Sequence, residues 1–302
     1  MIVRPSVNLL LWALHVTQEH FSVLPGIKQA GGEGVEVPLI VRAPDSDFRA
    51  LRKAVEDAGL VVSSAVTVMD EHTDPSCEGN QASALDHLKW CINTLHLLTA
   101  GNGSNLPSVL CGPLYGQLGE RPNPAPTDEE MFHRWATAAN VLRLAAIGAS
   151  DTNVVLALEP INRFEIVAVN SLRHGAKIVE IADHPRVRMM FDTHHMHLGE
   201  GRHPHLVLRR LIKRNFVIHG HISHHNRGIP GVDDQINYLP YFEALEELGY
   251  RGWLAIEAFG TYGPDERALQ AATCTWHPPF RNPEDVYRGG IALIRSFTGA
   301  TA

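Results

Sequence analysis

Four side chains able to ligate a metal or move a proton, Glu159, Asp192, His221 and Glu257, each lie at the end of a short apolar run: NVVLALE, VRMMFD, FVIHGH and GWLAIE. The intervals between them are 33, 29 and 36 residues. A carboxylate at the end of a buried run needs a compensating cation, because desolvating an unpaired charge costs several kcal/mol. A divalent metal supplies that compensation. Three carboxylates and one imidazole form an oxygen-rich set suited to Mn²⁺, Mg²⁺ or Co²⁺ rather than to the sulfur-rich sites that select zinc. Any one of these residues alone reads more simply as a buried ion pair; four in register at successive strand ends read as a metal site.

The elements that must position them follow from the hydrophobic period. Short apolar runs alternate with longer amphipathic stretches along the whole chain, the pattern of repeated strand-helix units around a parallel sheet. Eight strands are expected near 7–12, 35–40, 61–66, 108–112, 154–159, 187–192, 216–222 and 253–257. Helices are expected near 48–58, 84–99, 129–148, 171–182, 204–213, 241–248 and 283–297, with Asp47, Thr127 and Asn170 as N-caps. Each interval between the four polar residues is then about one repeat, and all four converge on one rim of a single-domain (β/α)8 TIM barrel spanning 1–302, the rim where such barrels carry their active sites. The rival, an open doubly wound sheet, would show a glycine-rich phosphate loop after its first strand, and ALHVTQEH has no glycine. Segments near 70–81, 114–126 and 261–282, rich in Gly, Pro and Asn, are expected to be extended loops that follow strands and cover the site or meet another subunit.

Four motifs in order sharpen the reading: Leu158-Glu159-Pro160-Ile161-Asn162-Arg163-Phe164-Glu165, Phe191-Asp192-Thr193-His194-His195-Met196, His219-Gly220-His221 followed by Asn226-Arg227-Gly228-Ile229-Pro230-Gly231, and Ile256-Glu257-Ala258-Phe259. Together they resemble the D-tagatose/D-psicose 3-epimerase family of the xylose-isomerase-like barrels. The match is clear from about 154 to 259, while the first half agrees in layout more than in motif. The resemblance implies a Mn²⁺- or Co²⁺-dependent epimerase of a free ketose, probing C3 with Glu159 and Glu257 from opposite faces. Both would bind metal, one removing the C3 proton and the other returning it through a cis-enediolate, while Asp192 and His221 only ligate. It also implies that Glu165, His195 and Arg227 bind the sugar, and that the protein is a homodimer or homotetramer. The chain departs from the family where His194 replaces a common aromatic, His197 an asparagine, and Ser223-His224-His225 stands near a usual glutamate; these changes bear on substrate choice.

Composition narrows the alternatives. A formal net charge of −7 argues against affinity built on nucleic-acid phosphates. It disfavours a metal-dependent endonuclease of the same barrel class. No apolar stretch reaches the roughly 20 residues that cross a bilayer, and no cleavage site follows the first apolar run, so a soluble cytoplasmic protein is expected. Cys77, Cys91, Cys111 and Cys274 have no paired spacing and read as free thiols. Most of the eighteen histidines fall between His174 and His225. His219 is read as a group one layer below His221, His203 and His205 as surface residues, and Glu36 as either facing the pocket or buried in an ion pair. Trp12 and WHPPF at 276–280 read as packing residues or as an aromatic wall for a sugar. The remaining rivals are an isomerase of the inosose or hydroxypyruvate type, a lyase acting on an oxidised sugar, and a non-catalytic sugar-binding protein, which would be expected to lack one of the two glutamates.

Overall fold

The computed structural model describes residues 2–101, 103, 105–259, 267–277 and 279–299. Eight strands form a closed barrel in chain order: β1 Ile2–Asn8, β2 Gly34–Pro38, β3 Val61–Val66, β4 Ser108–Gly112, β5 Val154–Leu158, β6 Val187–Asp192, β7 Val217–Ile222 and β8 Arg251–Ile256. Every neighbouring pair is parallel, including the closing pair β1–β8. The runs are rich in Val, Ile and Leu because both faces of a parallel sheet are buried here, one against helices and one inside the barrel.

Around the barrel lie α1 Leu24–Gln29, α2 Asp45–Asp57, α3 Gln81–Thr99, α4 Asp128–Gly148, α5 Leu172–Ala182, α6 Thr193–Gly199, α7 Pro204–Lys213, α8 Leu239–Glu247, α9 Arg267–Ala272 and α10 Pro283–Thr298. The main core lies between this ring and the strands, with Leu88, Leu142, Ile178, Leu208, Leu245 and Ile291 packing from the helices. A smaller, separate cluster includes Val66, Val109, Ala157 and Met190.

The expected (β/α)8 architecture is the observed one, and the differences are local. The first strand was placed at 7–12 but occupies Ile2–Asn8; the chain then turns through a short 3-10 helix, Leu9–Leu11, because the Asn8 side chain accepts from Leu10 N and caps that turn. Thr127 caps α4 as expected, in a reciprocal arrangement with Glu130. Asp47 is not a cap, since α2 already begins at Asp45 after Pro44. Ser171, not Asn170, caps α5; the Asn170 amide donates instead to the carbonyls of Ile161 and Ile166 and shapes the preceding loop. Of the segment expected as a loop at 261–282, residues 261–266 and Pro278 lie outside the described residues, and the remainder contains α9. Trp12 packs on Tyr287 with ring centroids 5.9 Å apart, the packing alternative of its two readings.

Candidate metal centre

Strand register brings the four polar residues to one level. Asp192 on β6 is the register partner of His221 on β7. Glu159 and Glu257 lie one residue beyond β5 and β8, tied to the neighbouring strands by Glu159 N donating to Gly112 O and Glu257 N to Ile222 O. One ligand atom from each of Glu159, Asp192, His221 and Glu257 falls within 4.8 Å of all the others, and all four residues are buried. From His221 Nδ1 the nearest carboxylate oxygens are Glu257 Oε1 at 3.3 Å, Glu159 Oε1 at 3.4 Å and Asp192 Oδ2 at 3.7 Å.

Two of these atoms, Glu159 Oε1 and His221 Nδ1, are buried without any hydrogen-bond partner among the described residues. Buried polar atoms without partners are rare in folded proteins. An oxygen-rich donor set closing on two orphaned atoms fits a divalent cation, which would satisfy both at once.

Electrostatics tell the same story for the metal-free protein. Burial, with the charges of Glu257 and Asp192 added, lifts the Glu159 carboxyl to about 8 against the pull of His221. Burial lowers the basicity of His221, but Glu36, Glu257 and Glu159 outweigh it and raise its affinity for a proton well above normal. Asp192 is driven the other way. Burial opposes its ionisation, and Arg227, His195 and His221 overcome that, holding it well below the usual carboxylate range. The crowded carboxylates thus hold protons on Glu159 and His221, where a cation would replace them.

The three residues expected to meet substrate line a small cavity of about 30 Å³ beside this group, which also includes Glu159, Glu257 and Leu269 of α9. Glu165 and Arg227 also line an adjoining cavity of about 310 Å³, with His194, Asn226 and His277. Arg227 has a φ of 65°, an uncommon conformation for a non-glycine residue, and is held by Asp192 Oδ2 at 3.2 Å, Glu257 Oε2 at 2.7 Å and the Phe259 ring beneath its guanidinium. Both ring nitrogens of His195 face N–H donors: Nδ1 lies 3.2 Å from the Asn162 backbone N, and Nε2 lies 3.0 Å from Arg227 Nη2 and 3.7 Å from Glu159 Oε1. Burial keeps this imidazole neutral, pulling it down to about 3. Glu165 is held by the Asn162 amide at 2.6 Å and stays ionised, because His194, His195 and Arg227 outweigh its burial.

Several members of the site carried no sequence signal for their role. Asn8 donates to Glu257 Oε1 at 3.0 Å; its only mark was to be a polar residue inside an apolar run. Tyr115 donates to Glu159 O and Val169 O and accepts from Ile161 N, pinning the turn after β5. His219 lies below His221, as read, and both imidazoles turn to Glu36. His224 and His225 pack at 4.2 Å beside Asp234, with His224 tied to Val232 O and His225 to the Asp234 carboxylate. A concavity of about 950 Å³ is a surface groove against α4 whose His133 pairs with Glu78; no group of metal-ligating side chains forms there among the described residues.

A family model described as xylose isomerase-like TIM barrel matches residues 26–297. The chain belongs to the xylose isomerase-like TIM barrel family. Among members with assigned activities, L-ribulose 3-epimerase of Methylomonas sp. (strain DH-1) is 28% identical over 277 residues, 90% of this chain and 89% of the relative. The ketose 3-epimerase of Arthrobacter globiformis is 27% identical over 299 residues, 95% and 93% of the two chains. A crystal structure of D-allulose 3-epimerase from Methylomonas sp. in complex with D-allulose superposes with a TM-score of 0.84 at 21% identity, covering 98% of this chain and 97% of the other. These xylose isomerase-like relatives are carbohydrate epimerases, in agreement with the expectation that this chain is an isomerase-class enzyme acting on a carbohydrate.

Proposed function

We propose that the protein is a divalent-metal-dependent 3-epimerase of a free ketose, with Glu159, Asp192, His221 and Glu257 as ligands and Mn²⁺ as the working ion. The observation that carries this is the convergence of those four buried residues on the orphaned atoms Glu159 Oε1 and His221 Nδ1. A bound divalent ion supplies Lewis acidity toward the ketone and hydroxyl oxygens of the sugar, which acidifies the C3 proton.

The chain's own groups perform the rest. Glu257, gripped by Asn8 and Arg227, and Glu159, whose Oε1 is free, act as the acid-base pair on the two faces of C3. Whichever carboxylate removes the proton, the other returns one to the opposite face, so configuration inverts. His195 hydrogen-bonds a sugar oxygen, and the buried Arg227 Nε–H, which has no acceptor among the described residues, donates to another. Glu165 accepts from a hydroxyl. Leu269 and Thr273 close the pocket from the side of α9 and limit water at the reacting carbon. Relatives that are named L-ribulose 3-epimerase and ketose 3-epimerase support the epimerase reading; a cytoplasmic homodimer or homotetramer completes the proposal.

The test is solvent deuterium incorporation at C3 of a panel of free ketoses with Mn²⁺ present. Wild-type protein should incorporate deuterium with at least one ketose, and Glu257→Gln should lower the rate by about 10²- to 10⁴-fold. Absence of exchange with every ketose would overturn the proposal.

A further inference from the structure

A second buried cluster lies directly beneath the four ligands, made by Glu36 on β2, Ser64 on β3, Cys111 on β4 and His219 and His221 on β7. Glu36 Oε1 lies 2.8 Å from His221 Nε2. Its Oε2 lies 2.8 Å from His219 Nε2, 2.7 Å from Ser64 Oγ and 3.2 Å from Cys111 Sγ. Glu36, Cys111, His219 and His221 are close enough to be taken for a second metal site. The distances argue otherwise. The carboxylate itself fills the centre, with three donors on one oxygen and one on the other; of the imidazole nitrogens in the group, only the two Nδ1 atoms have no hydrogen-bond partner among the described residues, and that of His221 faces the carboxylates above.

We infer that Glu36 is the positioning residue of the metal centre: it fixes the tautomer and the aim of His221. A carboxylate has no proton to give here, so His221 must donate from Nε2, and its lone pair is thereby placed on Nδ1. That is the atom facing Glu159, Asp192 and Glu257. A metal-bound imidazole whose far nitrogen donates to a carboxylate is better oriented and more basic, worth about 10- to 100-fold in affinity. The inference rests on the metal reading of the four upper residues.

The placement of the carboxylate is itself built into the sheet. The β2–β3 register shifts between Val35 and Glu36, so that Glu36 pairs with Ser64 rather than with Ser63, and the Ser64 hydroxyl meets it on the interior side. Ser64 and Cys111 then hold the carboxylate from two strands that contribute no ligand. The proposed ligands all come from β5 to β8, while the group that aims one of them comes from the opposite side of the barrel.

Glutamine is the discriminating substitution because it has nearly the same shape. If its amide nitrogen faces His221, donor meets donor unless the ring moves its proton to Nδ1, which occupies the lone pair the metal needs. If its oxygen faces His221, the amide nitrogen meets His219, Ser64 and Cys111, so His219 must move its proton to Nδ1 and the Ser64 hydroxyl must turn to accept. In either orientation the neutral amide cannot accept from both sides.

Calorimetric titration of Mn²⁺ into the full-length metal-free protein should show binding about 10- to 100-fold weaker for Glu36→Gln than for wild type, and Glu36→Asp, which keeps a carboxylate, should recover part of the loss. A folded Glu36→Gln protein that binds Mn²⁺ as tightly as wild type would overturn the inference and leave the metal site standing. Wild-type protein that takes up no divalent ion would overturn the metal reading itself. A second measurement needs no variant: in histidine-¹⁵N-labelled wild type loaded with Mg²⁺, long-range ¹⁵N–¹H correlations should place the His221 proton on Nε2, and a proton on Nδ1 would sink the assignment.

Discussion

Arg227 faces two carboxylates from a left-handed backbone conformation, and its removal would leave Asp192 and Glu257 buried without their shared cation. Breaking a buried pair in this way costs about 3–5 kcal/mol. Denaturant unfolding of Arg227→Met should show a loss of that size in the metal-free protein and a smaller one with Mn²⁺ present; equal losses in both would mean that no cation reaches these carboxylates. Glu159 gives a pH signature at the same scale. Its ordinary value is 4.5 and the folded metal-free protein holds it near 8. A raised folded value means that the contribution is fully present below about 4.5 and is lost as pH rises toward 8, because the unfolded chain releases its proton first. His221 is raised as well and acts in the same direction. The metal-free protein should therefore lose stability between pH 5 and pH 8, while Mn²⁺ binding strengthens and releases protons across the same interval. Unfolding at the two pH values and pH-dependent titration calorimetry check both halves.

At the scale of elements, Asp192 serves two masters. It ends β6 and caps α6, with Oδ1 accepting from His194 N at 2.6 Å and His195 N at 3.2 Å while Oδ2 faces His221. Asp192→Asn keeps a capping oxygen and removes the charge that faces Arg227, so metal affinity should drop at least about tenfold and the metal-free fold should weaken; Asp192→Ala should lose the cap as well, about 1 kcal/mol more. Calorimetry and thermal melting on the two variants separate the roles. The α6 helix was not legible in the sequence because THHMHLG is short and lacks a full amphipathic repeat, so its start depends on a strand-end carboxylate being in place. The longer elements were legible, since α4, α7 and α10 carry several turns of apolar period and begin at recognisable caps or prolines. The exit from β1 was misplaced because Leu9, Leu10 and Leu11 continue the apolar run while Asn8 has already turned the chain.

For the whole molecule, closure of the barrel sets what solvent can reach. Cys91 and Cys111 are buried, and burial pushes the Cys91 thiol up to about 12 and that of Cys111 well above its ordinary value. Cys274 is exposed. Iodoacetamide should label Cys274 in the native protein and spare Cys91 and Cys111 until the barrel unfolds; mass mapping that finds Cys111 labelled in native protein would contradict the packing beneath the metal centre. Packing also leaves no room beside Gly220 on β7: a Cβ there would lie 2.4 Å from the Phe191 ring, so even an alanine must displace that side chain. Among the described residues no helix is long and apolar enough to cross a membrane.

The sequence by itself determined the barrel and the convergence of the four upper residues, because a strand-helix repeat is a local periodic signal and a polar side chain at each strand end recurs at that same period. It did not determine what Glu36, Asn8 or Tyr115 would touch. Their partners, His221, Glu257 and Glu159, lie 185, 249 and 44 residues away along the chain. Contacts across a closed barrel depend on which strand stands opposite which, on one register shift between β2 and β3, and on two nitrogens of a single imidazole being assigned to opposite sides. Those are properties of the closed sheet, and only the tertiary structure decided them.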